Sequence, residues 1–353
     1  MRSTFARLVA LALAVTACSV AAEVPTTTIT SITSTSTTST TSTTTSTTPP
    51  DLDTSVINGL PVDDAGLLNR RVLAVKIDNH PRANPQSGIE KADMVIELMV
   101  EGITRFITIW HESDSDYLGP TRSGRPTDPT LLMAFNEPTI FISGAQPWVQ
   151  NLIRGKDIHL LGESSNGAFR VSGRSAPHNL YVNTIALRET ADARNHPDMA
   201  PDGPIWEFGP MPESADNASK VTIDFSGNTV SWTWDAATGL WLRTAYGGDG
   251  EYLDEDGARM RVGVPVLVAL YTDQYTASPP GSQSGSNLPA SKTTGSGEAF
   301  VFANGKVVEG TWERASESEW FTLIDDTGTP ILVPPGKSWV SLVPSHRGLS
   351  IEG

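Results

Sequence analysis

The stretch 72–125 constrains the fold most. It begins with the apolar run Val72-Leu73-Ala74-Val75-Lys76-Ile77 and turns at Asp78-Asn79-His80-Pro81. Two further β-forming runs, 94–100 and 103–111, meet at Glu101-Gly102, and the stretch closes on Gly119-Pro120-Thr121-Arg122-Ser123-Gly124-Arg125. Runs of this length and composition predict strands, and the Glu-Gly step between the second and third predicts a hairpin. Charged and turn residues collect where the runs end, which is where rigid strands present chemistry. Along 103–111 the side chains alternate. Ile103, Arg105, Ile107 and Ile109 share one face, so Arg105 sits among apolar neighbours and needs a partner.

Helix signals follow at 127–136, 147–153 and 184–194, interleaved with strand-like segments at 139–142 and within 168–182. This alternation predicts a mixed α/β N-terminal domain over 67–212. After 218 the pattern changes to short strands separated by turn residues, as at Gly227-Asn228 and Asn304-Gly305. These predict a β-rich antiparallel C-terminal domain over 218–344, with the Ser/Gly/Pro-rich segment 278–297 as a mobile loop. The expected class is α+β. The tryptophans concentrate in this second region, and their strand spacing marks most of them as core.

The N-terminus carries a different message. Arg2 and Arg7 precede the short apolar run 8–15, which is too short to span a bilayer and reads as an export signal over 1–17. Val15-Thr16-Ala17-Cys18 resembles the bacterial lipoprotein processing site, which implies a lipid on Cys18, the single cysteine of the chain. Residues 18–56 include a tract of Thr and Ser ending in Pro49-Pro50; it lacks an apolar period and predicts a disordered stalk. The expected location is extracytoplasmic, anchored to the cell membrane. A formal charge of −15 over 353 residues argues against nucleic acid as a partner.

Two constellations carry the chemistry. Arg105, Arg122, Arg125, Arg170 and Arg174 fall near turns of the first domain, with Ser123 and Asn179 as neutral partners. Guanidinium forks on a Gly/Pro-shaped loop suit an oxyanion, so these residues form the candidate ligand-binding set, and an anionic envelope ligand is the expected partner. The bland alternative is internal pairing with carboxylates. Asp78, Glu97 and Glu101 with His80 or His178 form the candidate catalytic set for an alternative reading, a hydrolase acting on an anionic polymer or phosphoester. Histidine spacings match no common metal signature, no cofactor is called for, and the sequence names no protein partner.

Several motifs together resemble the YerB-like family of bacterial lipoproteins. They are Asp78-Asn79-His80-Pro81, Pro85-Gln86-Ser87-Gly88, the 119–125 loop and Ala176-Pro177-His178-Asn179-Leu180-Tyr181. In the second region Gly310-Thr311-Trp312 and Pro335-Gly336-Lys337-Ser338-Trp339 carry the likeness. The resemblance covers most of the chain after the stalk. It implies a two-domain envelope lipoprotein and no assigned activity.

Overall fold

The structure is a computed structural model that describes residues 53–353. The expected signal 1–17, Cys18 and nearly all of the expected stalk lie outside the described residues. Packing begins before position 57: Ser55 is buried, and its hydroxyl accepts the backbone N–H groups of Ile57 and Asn58 at 3.1 and 3.0 Å.

One eleven-stranded sheet organises the described chain. From one edge it runs Thr322–Ile324, Lys306–Arg314, Gly295–Ala303, Val266–Thr272 and Ser338–Pro344. It then continues through Met94–Met99, Thr104–Trp110, Leu73–Ile77, Thr139–Phe141 and His159–Leu161; Asp216–Asn217 flanks Lys306–Arg314. The predicted hairpin is present, with Met94 opposite Ile109 and Met99 opposite Thr104. The join between the two halves is parallel, Met94 beside Ser338 and Leu98 beside Leu342.

Two expectations are corrected here. The second half is not purely antiparallel, because Val266–Thr272 lies parallel to Ser338–Pro344. The two halves also share one sheet instead of forming a mixed α/β body followed by a separate antiparallel one. The cause is that both central strands are apolar on both faces. Val266–Thr272 and Ser338–Pro344 are almost wholly buried, the signature of an interior strand covered on each side.

Two layers provide that cover. Helices α1 (Thr127–Leu132) and α2 (Pro147–Arg154) place Leu131, Leu132, Trp148, Val149 and Ile153 in one core with Ile107, Ile109 and Val268. A second, antiparallel sheet covers the other face through Lys220–Asp224, Thr229–Asp235, Leu240–Ala245 and Leu349–Glu352. Its Val221, Ile223, Trp232 and Trp241 pack with Phe106, Trp110, Leu267 and Trp339, and helix α3 (Thr184–Ala193) adds Leu187 and Ala191. Trp232, Trp241, Trp312 and Trp339 are all buried, as their spacing predicts.

The segment 278–297 is also corrected. Gln274–Ala277 and Leu288–Ser291 pair as a hairpin, and Gly295–Ala303 is already a strand of the main sheet. The hairpin docks on α1: Ser291 N–H donates to Thr127 Oγ1 at 2.9 Å, and Thr293 and Thr130 join hydroxyls at 3.0 Å.

Candidate functional site

Three loops meet where the strand Leu73–Ile77 ends. Asp78 N–H donates to Pro120 O at 2.9 Å, Arg122 N–H to Lys76 O at 2.8 Å and Thr121 N–H to Leu180 O at 2.7 Å. Arg174 extends from the third loop and donates Nη1 to Ala83 O at 2.7 Å and Nη2 to Pro85 O. These ties bring residues from 78, 122 and 178 to one place.

At the centre is Asp78, fully buried. Its Oδ1 accepts the His80 N–H at 3.0 Å, and its Oδ2 accepts His178 Nδ1 at 2.7 Å. The His80 ring stacks on His178 with centroids 4.8 Å apart and planes at 21°. His80 Nδ1 accepts the Arg82 N–H at 3.1 Å, so a neutral His80 carries its proton on Nε2. Burial, and then His178 beside it, pull the His80 pKa below its ordinary value. Arg122 Nε lies 3.4 Å from Asp78 Oδ2, close enough for charge attraction but not aligned as a hydrogen bond. That Nε is buried without a hydrogen-bond partner, as are the Thr121 and Ser87 hydroxyls nearby.

The neighbouring charges are better matched. Arg125 grips Glu101 with Nε at 2.7 Å and Nη2 at 2.9 Å. Burial works against the Glu101 carboxylate, but its bonds with Arg125 prevail and hold its pKa below the usual value. Arg105 donates Nη1 to Ser123 O at 3.0 Å and lies 3.7 Å from Glu101; burial and the nearby Arg125 lower its pKa to about 10. Beneath them Lys76 Nζ meets Asp128 Oδ1 at 2.6 Å, both side chains fully buried. Burial, opposed by Asp128, pulls the Lys76 pKa down to about 8.

Several expected site residues therefore have other work. Glu97 is not placed to act as an acid or base. It is fully buried and accepts from Thr104 Oγ1 at 2.7 Å, Arg243 Nη2 at 2.7 Å and Trp339 Nε1 at 2.9 Å. Glu101 is a clamp on Arg125. Arg170 pairs with Glu163 and donates to Asn179 Oδ1 at 2.6 Å, and Arg174 is spent on backbone carbonyls. Asp128, in the first turn of α1, spends its carboxylate on Lys76 Nζ and on the Arg125 N–H, the latter at 2.7 Å. Asp78, His80, His178 and Arg122 do converge. Lys76 and Asp128 escaped sequence reasoning; the signal for the first was a lone lysine inside an apolar strand, which always needs a buried partner.

Comparison with known proteins points one way. "Protein of unknown function (DUF3048) N-terminal domain" matches residues 57–197, and the C-terminal domain of the same description matches 221–340. A Bacillus subtilis (strain 168) protein named "Putative lipoprotein YerB" is 25% identical over 292 residues, which cover 80% of this chain and 84% of that protein. The crystal structure of the YerB protein from Bacillus subtilis superposes with a TM-score of 0.71 at 23% identity, covering 84% of this chain and 99% of that one.

Proposed function

Because this chain belongs to the YerB-like DUF3048 family, whose members have no known function, we propose that it is an extracytoplasmic lipoprotein, held to the membrane through Cys18, that binds an anionic envelope group at the Arg122 loop. The family relationship supports the first part, together with the basic start and the single cysteine at the end of the export signal. The observation that carries the second part is the Arg122 Nε left without a partner beside two stacked histidines, one of which, His178, has its ring held by the Asp78 carboxylate. Around it Lys76, Arg105, Arg122 and Arg125 face only Asp78, Glu101 and Asp128. An anion placed against Arg122 and His80 Nε2 would answer the unmatched donors.

Inorganic phosphate is the probe. It should bind saturably by calorimetry, and Arg122→Ala should abolish the heat while Arg170→Ala leaves it. Unchanged phosphate binding by Arg122→Ala would sink the assignment.

One observation favours a second reading, a hydrolase. Asp78 on His178 Nδ1 leaves Nε2 to take a proton from water, the arrangement of a general base oriented by a carboxylate. Hydrolysis of a phosphoester that is lost in His178→Ala, with phosphate binding retained, would select it.

A further inference from the structure

The seam between the two halves holds a second candidate site that does not depend on the Arg122 loop. A cavity of about 250 Å³ opens beside the 81–89 loop, with Gln86, Phe106, Arg243, Tyr246 and Trp339 among its walls. Arg243 is its distinctive group. The residue is only 4% exposed, and its guanidinium carbon lies 5.4, 5.7 and 5.2 Å from the ring centroids of Phe106, Trp232 and Trp339. Glu97 takes Nη2 alone, and Nε is buried with no partner.

Arg105 and Arg122 also leave a buried Nε without a partner, but both belong to the Arg122 loop site, and the enclosed arginines elsewhere are fully used. Arg71, Arg188 and Arg314 are also largely enclosed, and each uses Nε, Nη1 and Nη2 on protein acceptors. A buried cationic donor left unanswered is costly, so an acceptor brought into the cavity gains what the protein does not supply. Glu97 has already balanced the charge of Arg243. At the rim Asp249 lies 3.2 Å from Arg261 and Glu251 2.5 Å from Arg259. The site is near neutrality, which disfavours a dianion such as phosphate and suits one acceptor head of at most a single charge. The volume falls below the roughly 300 Å³ at which pockets for drug-sized ligands begin.

We propose that this cavity binds a small monocarboxylate with an apolar or aromatic body, its carboxylate on the unsatisfied side of Arg243 and its body against Phe106 and Trp339.

Benzoate and benzyl alcohol, which share a ring but differ in the head, are the probes, and fluorescence of the adjacent tryptophans is the readout in the whole protein. Benzoate should quench saturably and bind at least tenfold more tightly than benzyl alcohol. Gly248 lines the cavity, and an added Cβ there meets nothing within 4 Å, so Gly248→Trp blocks the space without a clash at the backbone. That variant should lose benzoate binding with an unchanged melting temperature. Arg243→Lys keeps a positive charge for Glu97 and should weaken benzoate more than benzyl alcohol. Arg122→Ala should leave benzoate binding intact, which separates this site from the phosphate site. Absence of saturable benzoate binding, equal affinity for the two probes, or binding undiminished by Gly248→Trp would each overturn the proposal.

Discussion

Glu97→Gln tests the reading of that residue as a structural tie between the two halves. The carboxylate is fully buried and satisfies three donors, Thr104 Oγ1, Arg243 Nη2 and Trp339 Nε1, two of them from the distant second half. A glutamine of the same shape removes the charge that balances Arg243 and turns one acceptor into a donor facing other donors. Removing one partner of a buried ion pair costs about 3–5 kcal/mol. At about 2 °C per kcal/mol for a protein of this size, the melting temperature should fall by about 6–10 °C. Tryptophan fluorescence on heating reports it directly, because Trp232 and Trp339 flank the Arg243 guanidinium. Arg243→Met in the same background should restore part of the loss, with a coupling of about 2–3 kcal/mol in the double-mutant cycle. A shift under about 2 °C for Glu97→Gln, or strict additivity with Arg243→Met, would refute the buried tie.

Three further outcomes follow from other parts of the molecule. Burial and the nearby His159 lower the His196 pKa to about 4, so the unfolded chain takes up this proton first; stability should drop as pH falls from about 6.5 to about 4, and His196→Gln should flatten that limb of a melting-temperature profile. At Gly227 an added Cβ would lie 1.5 Å from the Gly102 carbonyl oxygen, so Gly227→Ala should destabilise measurably in urea while Gly173→Ala, which meets nothing within 4 Å, should not. Cys18→Ser should move the protein from the detergent phase to the aqueous phase, and unchanged partitioning would refute lipid anchoring.

What could be read from the sequence depended on how local the interaction was. The Met94–Met99 and Thr104–Trp110 hairpin was legible because both strands and their turn are contiguous, and the need of Arg105 for a partner followed from alternation alone. Its answer, the Ser123 carbonyl, sits on the next loop. The sequence already set Glu97 inside a strand and Glu101 at a turn, but the partners of Glu97 arrive from positions 243 and 339. No periodicity encodes such a meeting. Val266–Thr272 was missed because a continuous apolar run does not distinguish an interior strand from a buried helix. The composition of 278–297 hid a hairpin whose order comes from docking on α1. Asp78, His80 and His178 were singled out by residue type, but the stacking of the two rings and the bond from Asp78 to His178 needed the fold.

The placement of Met94–Met99 beside Ser338–Pro344 bears on how the molecule is made. A growing chain completes the first hairpin early, then holds an open, apolar strand edge until residues far later in the chain arrive to cover it. Closing so long a loop is slow, and an uncovered edge invites pairing with other chains during the wait. The boundary drawn by family similarity between 197 and 221 therefore does not separate two folding units. Either segment produced alone would keep an unpaired edge in the middle of what should be one sheet.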